Sequence, residues 1–117
     1  MKGKARENLE VGLRLLEEGF VDAAANRLYY AVFQAAAYAL GRGGRLPSES
    51  RGSAAVWDHR IIGDRIALLR GEPDDGRLFR ELRSLRERAD YQEGPVDRRE
   101  LERRKRDVER FVRGVTE

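Results

Sequence analysis

Asn26, Tyr30 and Gln34 follow one another at i, i+4 and i+8, with Arg27 beside the first, in a stretch that is otherwise almost wholly apolar. On a helix this spacing draws a polar stripe, and polar groups carried into a core need partners. Two uses fit: hydrogen bonding to other helices or to a second copy of the chain, and the wall of a cleft that binds a ligand. Arg86 and Asp90 form a second pair, i and i+4 within Arg86-Glu87-Arg88-Ala89-Asp90-Tyr91. A guanidinium there either closes an ordinary intrahelical ion pair or holds a phosphate. Arg86, Asp90 and either Gln34 or Asn26 meet if the two segments are neighbouring helices. Tyr29, Tyr30, Tyr38 and Tyr91 are all four tyrosines, and most read as core or interface side chains with a wet hydroxyl. His59, between Asp58 and Arg60, is the single histidine and reads as a surface or capping residue.

What is missing narrows the chemistry further. There is no cysteine, so disulfides, thiolate nucleophiles and thiolate metal sites are excluded, and one histidine cannot build a multi-histidine metal site. No metal or other cofactor is expected. No Ser/His/Asp spacing is readable, and Gly41, Gly43 and Gly44 follow a helix rather than a strand, which removes the phosphate-cradling strand, loop and helix unit. The chain has 117 residues with 24 Lys and Arg against 21 Asp and Glu, and 21 of the 24 basic residues are arginine. With 38% charged and 40% hydrophobic residues, it reads as one domain spanning 1–117, neither disordered nor membrane-bound. Met1 to Arg6 lacks the apolar run of a signal peptide, which points to the cytoplasm.

Five helices account for the pattern. From Ala5 to Glu18, Leu9, Leu13 and Leu16, with Phe20 at i+11, line one face, and Gly19 is the expected stop. Asp22 to Leu40 is apolar nearly all round, which places it at the centre of a bundle, with Asp22 as N-cap and Gly41 as stop. Residues 41–52 read as a mobile basic loop. A third helix begins near Ser53, pairing Trp57 with Ile61 and then Ile62, Ile66 and Leu69, and ends before Gly71-Glu72-Pro73. Residues 71–76 read as a turn into a fourth helix, Arg77 to Glu93, with Leu78, Leu82, Leu85 and Ala89 inward. Asp97 and Glu100 suggest a capping box for a fifth helix whose inner face is Leu101, Val108, Val112 and Val115. Glu100 with Arg104 and Glu102 with Arg106 are expected i, i+4 pairs on its outer side. The expected fold is all-α, an up-and-down bundle of about five helices.

Taken in order, the run from Ala25 through Asn26-Arg27-Leu28-Tyr29-Tyr30-Ala31-Val32-Phe33-Gln34 to Ala36, His59 in the third helix, and Arg86 to Tyr91 resemble the HEPN family (higher eukaryotes and prokaryotes nucleotide-binding). The likeness is to its small stand-alone prokaryotic branch and covers roughly residues 5 to 115. Its specific parts are an N-R-x-Y-Y-A-x-F-x-A-A run and an R-x-x-A-D-Y run. The resemblance implies a four-helix core, a homodimer with a shared cleft, and a minimal nucleotidyltransferase as partner in a toxin-antitoxin pair. Many members cut RNA without a metal, using an Arg, then four to six residues, then a His. Arg86 matches that arginine, but Tyr91 stands where the histidine is expected, and a phenol of ordinary pKa near 10 is a poor proton carrier at neutral pH.

The expected function is therefore a HEPN-like partner of a nucleotidyltransferase that binds nucleotide or RNA phosphate. Its expected ligand-binding residues are Asn26, Arg27, Tyr30, Gln34, His59 and Asp90, with Arg86 and Tyr91 as the candidate catalytic pair. The alternatives are a metal-independent endoribonuclease with a degenerate Arg-x4-Tyr site, and a purely structural oligomerisation module.

Overall fold

The computed structural model describes residues 2–42, 61–91 and 95–117, apart from the side chains of Arg42 and Tyr91. His59, Trp57 and most of the expected basic loop lie outside the described residues. Five helices appear in the order α1 (Lys2–Glu18), α2 (Val21–Arg42), α3 (Ile62–Arg70), α4 (Pro73–Tyr91) and α5 (Arg98–Thr116), with no strand among the described residues. The all-α reading of the sequence holds.

Helix α2 packs against each of the other four. Ala24, Ala25, Leu28, Tyr29, Ala31 and Val32 are buried along its first half, and small side chains there let the neighbouring helices approach closely. Gly12 marks the tightest approach, since a Cβ at that position would stand 2.7 Å from Leu28 Cδ2.

Several boundaries differ from expectation for identifiable reasons. Gly19 does end α1, in left-handed backbone at φ +90°, and the N–H groups of Gly19 and Phe20 return to Leu16 and Leu15 carbonyls. That reversal swings Phe20 off the apolar face, and the ring is 60% exposed rather than inward. Asp22 is not the N-cap of α2. It lies inside the first turn, and its Oδ1 accepts from the Val96 backbone N–H at 2.8 Å, tying the start of α2 to the approach to α5. Gly41 does not stop α2, which continues to Arg42.

The expected turn at residues 71–76 is shorter. Gly71 closes α3 at φ +66°, and Pro73 is already the first residue of α4, where its missing N–H costs nothing and its fixed φ suits the helix. Asp97 caps α5 by accepting from Arg99 N–H at 2.9 Å. The expected pairs on the outer side of α5 are redistributed: Glu100 meets Arg88 at 3.4 Å, Arg104 meets Glu81 at 2.8 Å, and Glu102 meets Arg98 at 3.6 Å. Two of the three are links to α4, which sequence spacing on one helix cannot register. No described helix is long and apolar enough to cross a membrane.

Candidate functional site

Arg86 stands on the face of α4 that packs against α2. Its guanidinium carbon lies 5.3 Å from the centre of the Tyr29 ring and 5.2 Å from that of Tyr30. Two consecutive residues reach one cation because they point about 100° apart on the helix, Tyr29 into the core and Tyr30 toward its rim. Tyr29 is fully buried and fixed by edge-on contact with Phe79 on α4, ring centres 5.4 Å apart. A desolvated cation held over aromatic faces is stabilised by about 2 kcal/mol.

One carboxylate completes the cradle. Asp90 Oδ2 lies 3.3 Å from Arg86 Nε, one turn along α4, and accepts from Asn26 Nδ2 at 3.4 Å. The Arg86 Nε–H is buried and has no hydrogen-bond partner among the described residues, so its contact with Asp90 is an ion pair without hydrogen-bonding direction. The side chain is 17% exposed. Arg86 is thus positioned by two rings and a charge.

The polar stripe of α2 divides between two networks. Asn26 turns to Asp90 on α4, whereas Gln34 Oε1 accepts from Asn8 Nδ2 on α1 at 2.7 Å, and Asn8 Oδ1 accepts from Arg27 Nη1 at 3.1 Å. Of the two amides that sequence spacing allows beside Arg86 and Asp90, Asn26 is the one that reaches Asp90. Arg27 and Gln34 are joined through Asn8. Tyr91 is the last residue of α4, and His59 lies outside the described residues.

Burial pushes the Tyr29 phenol well above its usual range, an effect that the positive charges of Arg83 and Arg86 only partly offset and that Tyr30 and Glu87 reinforce. Tyr29 is therefore a neutral platform at any ordinary pH. Among the described residues no group of three His, Cys, Asp or Glu side chains could hold a metal ion. A separate cleft of about 380 Å³ opens near the start of α4, where Arg70 lies 2.9 Å from Asp75 and Arg104 2.8 Å from Glu81.

The model of the HEPN domain matches residues 1–117. The chain belongs to the HEPN family. No curated protein and no solved structure matches it. Membership makes this a helical module of a nucleotide- and RNA-related family whose domains commonly dimerise. In this HEPN chain two residues of the site escape sequence reasoning. Asn8 sits beside the Leu9, Leu13 and Leu16 stripe, and its one signal is a poor helix former in mid-helix. Tyr29 reads as one core aromatic among several, and its contact with Arg86 depends on how α2 meets α4.

Proposed function

We propose that this HEPN domain binds the phosphate of a nucleotide or RNA through Arg86, as a homodimer and as the partner of a minimal nucleotidyltransferase in a toxin-antitoxin pair. The observation that supports the reading is the Arg86 guanidinium itself, mostly buried, set over Tyr29 and Tyr30, and paired only with Asp90 among the described residues. Two oxygens of a phosphate take a guanidinium fork in two parallel charge-assisted bonds. Asp90 and Asn26 orient the arginine, and Arg27, on the same helix as the two rings, adds positive charge. The family's tendency to dimerise and its association with nucleotidyltransferases supply the partner reading, and the whole is a binding role rather than a catalytic one.

Equilibrium binding of a nucleoside triphosphate and of a short RNA, wild type against Arg86→Ala, tests the phosphate reading. Saturable binding that the variant loses supports it, and identical isotherms for the two proteins sink it. Incubation of labelled RNA with chelator runs alongside. Cleavage that persists with chelator and disappears in Arg86→Ala would replace the binding role with a catalytic one for Arg86 and Tyr91. Sedimentation at 13.4 kDa and micromolar concentration would refute the homodimer.

A further inference from the structure

Helix α5 carries eight basic residues against four acidic ones, a net charge of +4 where the whole chain has +3. The excess is organised. Arg99, Arg103, Arg106 and Arg110 recur at i, i+4, i+7 and i+11, and Arg113 continues the series at i+14. At 100° per residue the five lie within an arc of about 80°, rising by about 4.5 to 6 Å at each step over roughly 21 Å of helix axis. All five are exposed. The first four have no ion-pair partner among the described residues, and Arg113 has only Glu109 at 4.0 Å.

Their isolation follows from the fold. Glu100 is taken by Arg88 of α4 and Glu102 by Arg98, outside the row. The opposite side of α5 is committed to the core through Leu101, Val108, Phe111 and Val112. What remains is a straight file of guanidinium groups on one helix, four of the five without an ion-pair partner among the described residues, flanked by Glu102 and Glu109 on one side and Asp107 on the other.

We propose that this face of α5 is a docking surface for a nucleic-acid strand, held by its phosphodiester backbone and without regard to base sequence. A regular row of cations matches a regular row of phosphates, and a single strand adjusts its torsions to follow it. The row carries no aromatic side chain on which a base stacks, so base identity has no reader. An anionic bilayer fits less well: the apolar side of α5 is buried and cannot insert, and a flat surface meets the flanking carboxylates as well as the arginines. The surface is separate from Arg86, and its test stands apart from that of the proposed phosphate site.

The experiment is fluorescence anisotropy with a labelled single-stranded oligonucleotide of mixed sequence over a series of salt concentrations. Wild type is compared with the fourfold variant Arg99→Gln, Arg103→Gln, Arg106→Gln, Arg110→Gln. A control removes the same charge elsewhere, through Lys2→Gln, Lys4→Gln, Arg14→Gln and Arg65→Gln, all exposed. The expected result is affinity at least about tenfold weaker in the α5 variant, with the log–log salt slope shallower by about 3, four contacts at about 0.7 each. The control stays within about threefold of wild type. The two half variants, Arg99→Gln with Arg103→Gln and Arg106→Gln with Arg110→Gln, each show an intermediate loss and serve if the fourfold variant does not fold. Equal losses in the α5 variant and the control overturn the proposal, as does wild-type protein that does not bind. Competition by phosphatidylserine vesicles or polyglutamate as effective as that by unlabelled oligonucleotide also overturns it.

Discussion

The Arg86 guanidinium carbon lies 5.2 Å from the centre of the Tyr30 ring and 5.3 Å from that of Tyr29, and the two ring centres are 5.4 Å apart, so the cation sits at the apex of a near-equilateral triangle. The pair of Arg86 and Tyr30 joins α4 to α2 at the rim of the bundle, so it serves both the fold and the proposed binding of phosphate. A double-mutant cycle separates the two roles. Arg86→Met and Tyr30→Leu are each expected to destabilise the fold, with a coupling of about 1 kcal/mol between them, the value of a partly desolvated cation–π contact. Urea unfolding of the four proteins measures it. Arg86→Lys keeps the charge but loses the flat, forked head, and phosphate binding is expected to weaken by about tenfold. Binding by Arg86→Lys at full strength would show that charge alone suffices.

Tyr29 gives the fold a pH dependence whose sign is fixed by its burial. The folded protein holds the phenolic proton more tightly than the unfolded chain, whose tyrosines titrate near pH 10. The stabilising contribution is fully present below that pH and is lost as pH rises above it, because the unfolded state releases the proton first. Denaturant midpoints for wild type are expected to fall more steeply above pH 10 than those of Tyr29→Phe. Parallel curves for the two proteins would show that Tyr29 titrates in the fold as it does unfolded.

Asp22 was legible in the sequence as a cap and is instead a tether, its carboxylate bonded to Val96 N–H across 74 residues. Asp22→Ala leaves that amide, on a buried residue, without its acceptor and is expected to cost about 1 to 2 kcal/mol. For a chain of this length that lowers Tm by roughly 4 to 8 °C, and Asp22→Asn, which keeps an oxygen acceptor, recovers most of it. Thermal melts of the three proteins decide the matter.

The contrast between Asp22 and α2 itself explains what the sequence could and could not convey. The apolar run from Ala24 to Leu40 has one low-energy place in a bundle, the centre, so its position follows from composition alone. Leu9, Leu16, Leu82, Leu85, Leu101 and Val108 are likewise inward because helical periodicity leaves them no alternative. Partners of polar groups are another matter. Asn26 and Gln34 lie two turns apart on one helix, yet one meets α4 and the other α1, because α2 packs against both of those helices. Helix ends fall between these cases: Gly19 announces its stop, but Pro73 reads equally well as turn or first helical residue until the chain geometry is known.

Two glycines of α1 are expected to respond oppositely to the same substitution. At Gly3 a Cβ meets nothing within 4 Å, and Gly3→Ala simply removes backbone freedom from the unfolded chain, for a gain of about 0.5 kcal/mol. At Gly12 the new carbon falls 2.7 Å from Leu28 Cδ2, 2.8 Å from its Cγ and 3.3 Å from its backbone nitrogen. Leu28 is fully buried against the helices around α2 and cannot swing away without displacing them. An overpacking cost of about 1 to 3 kcal/mol outweighs the helix-propensity gain of about 1 kcal/mol. Gly12→Ala is therefore expected to lower stability and Gly12→Leu to lower it further, both read from urea midpoints at constant m-value. A Gly12→Ala protein more stable than wild type would mean that α1 and α2 separate at low cost, and that the close approach at Gly12 is not what fixes their packing.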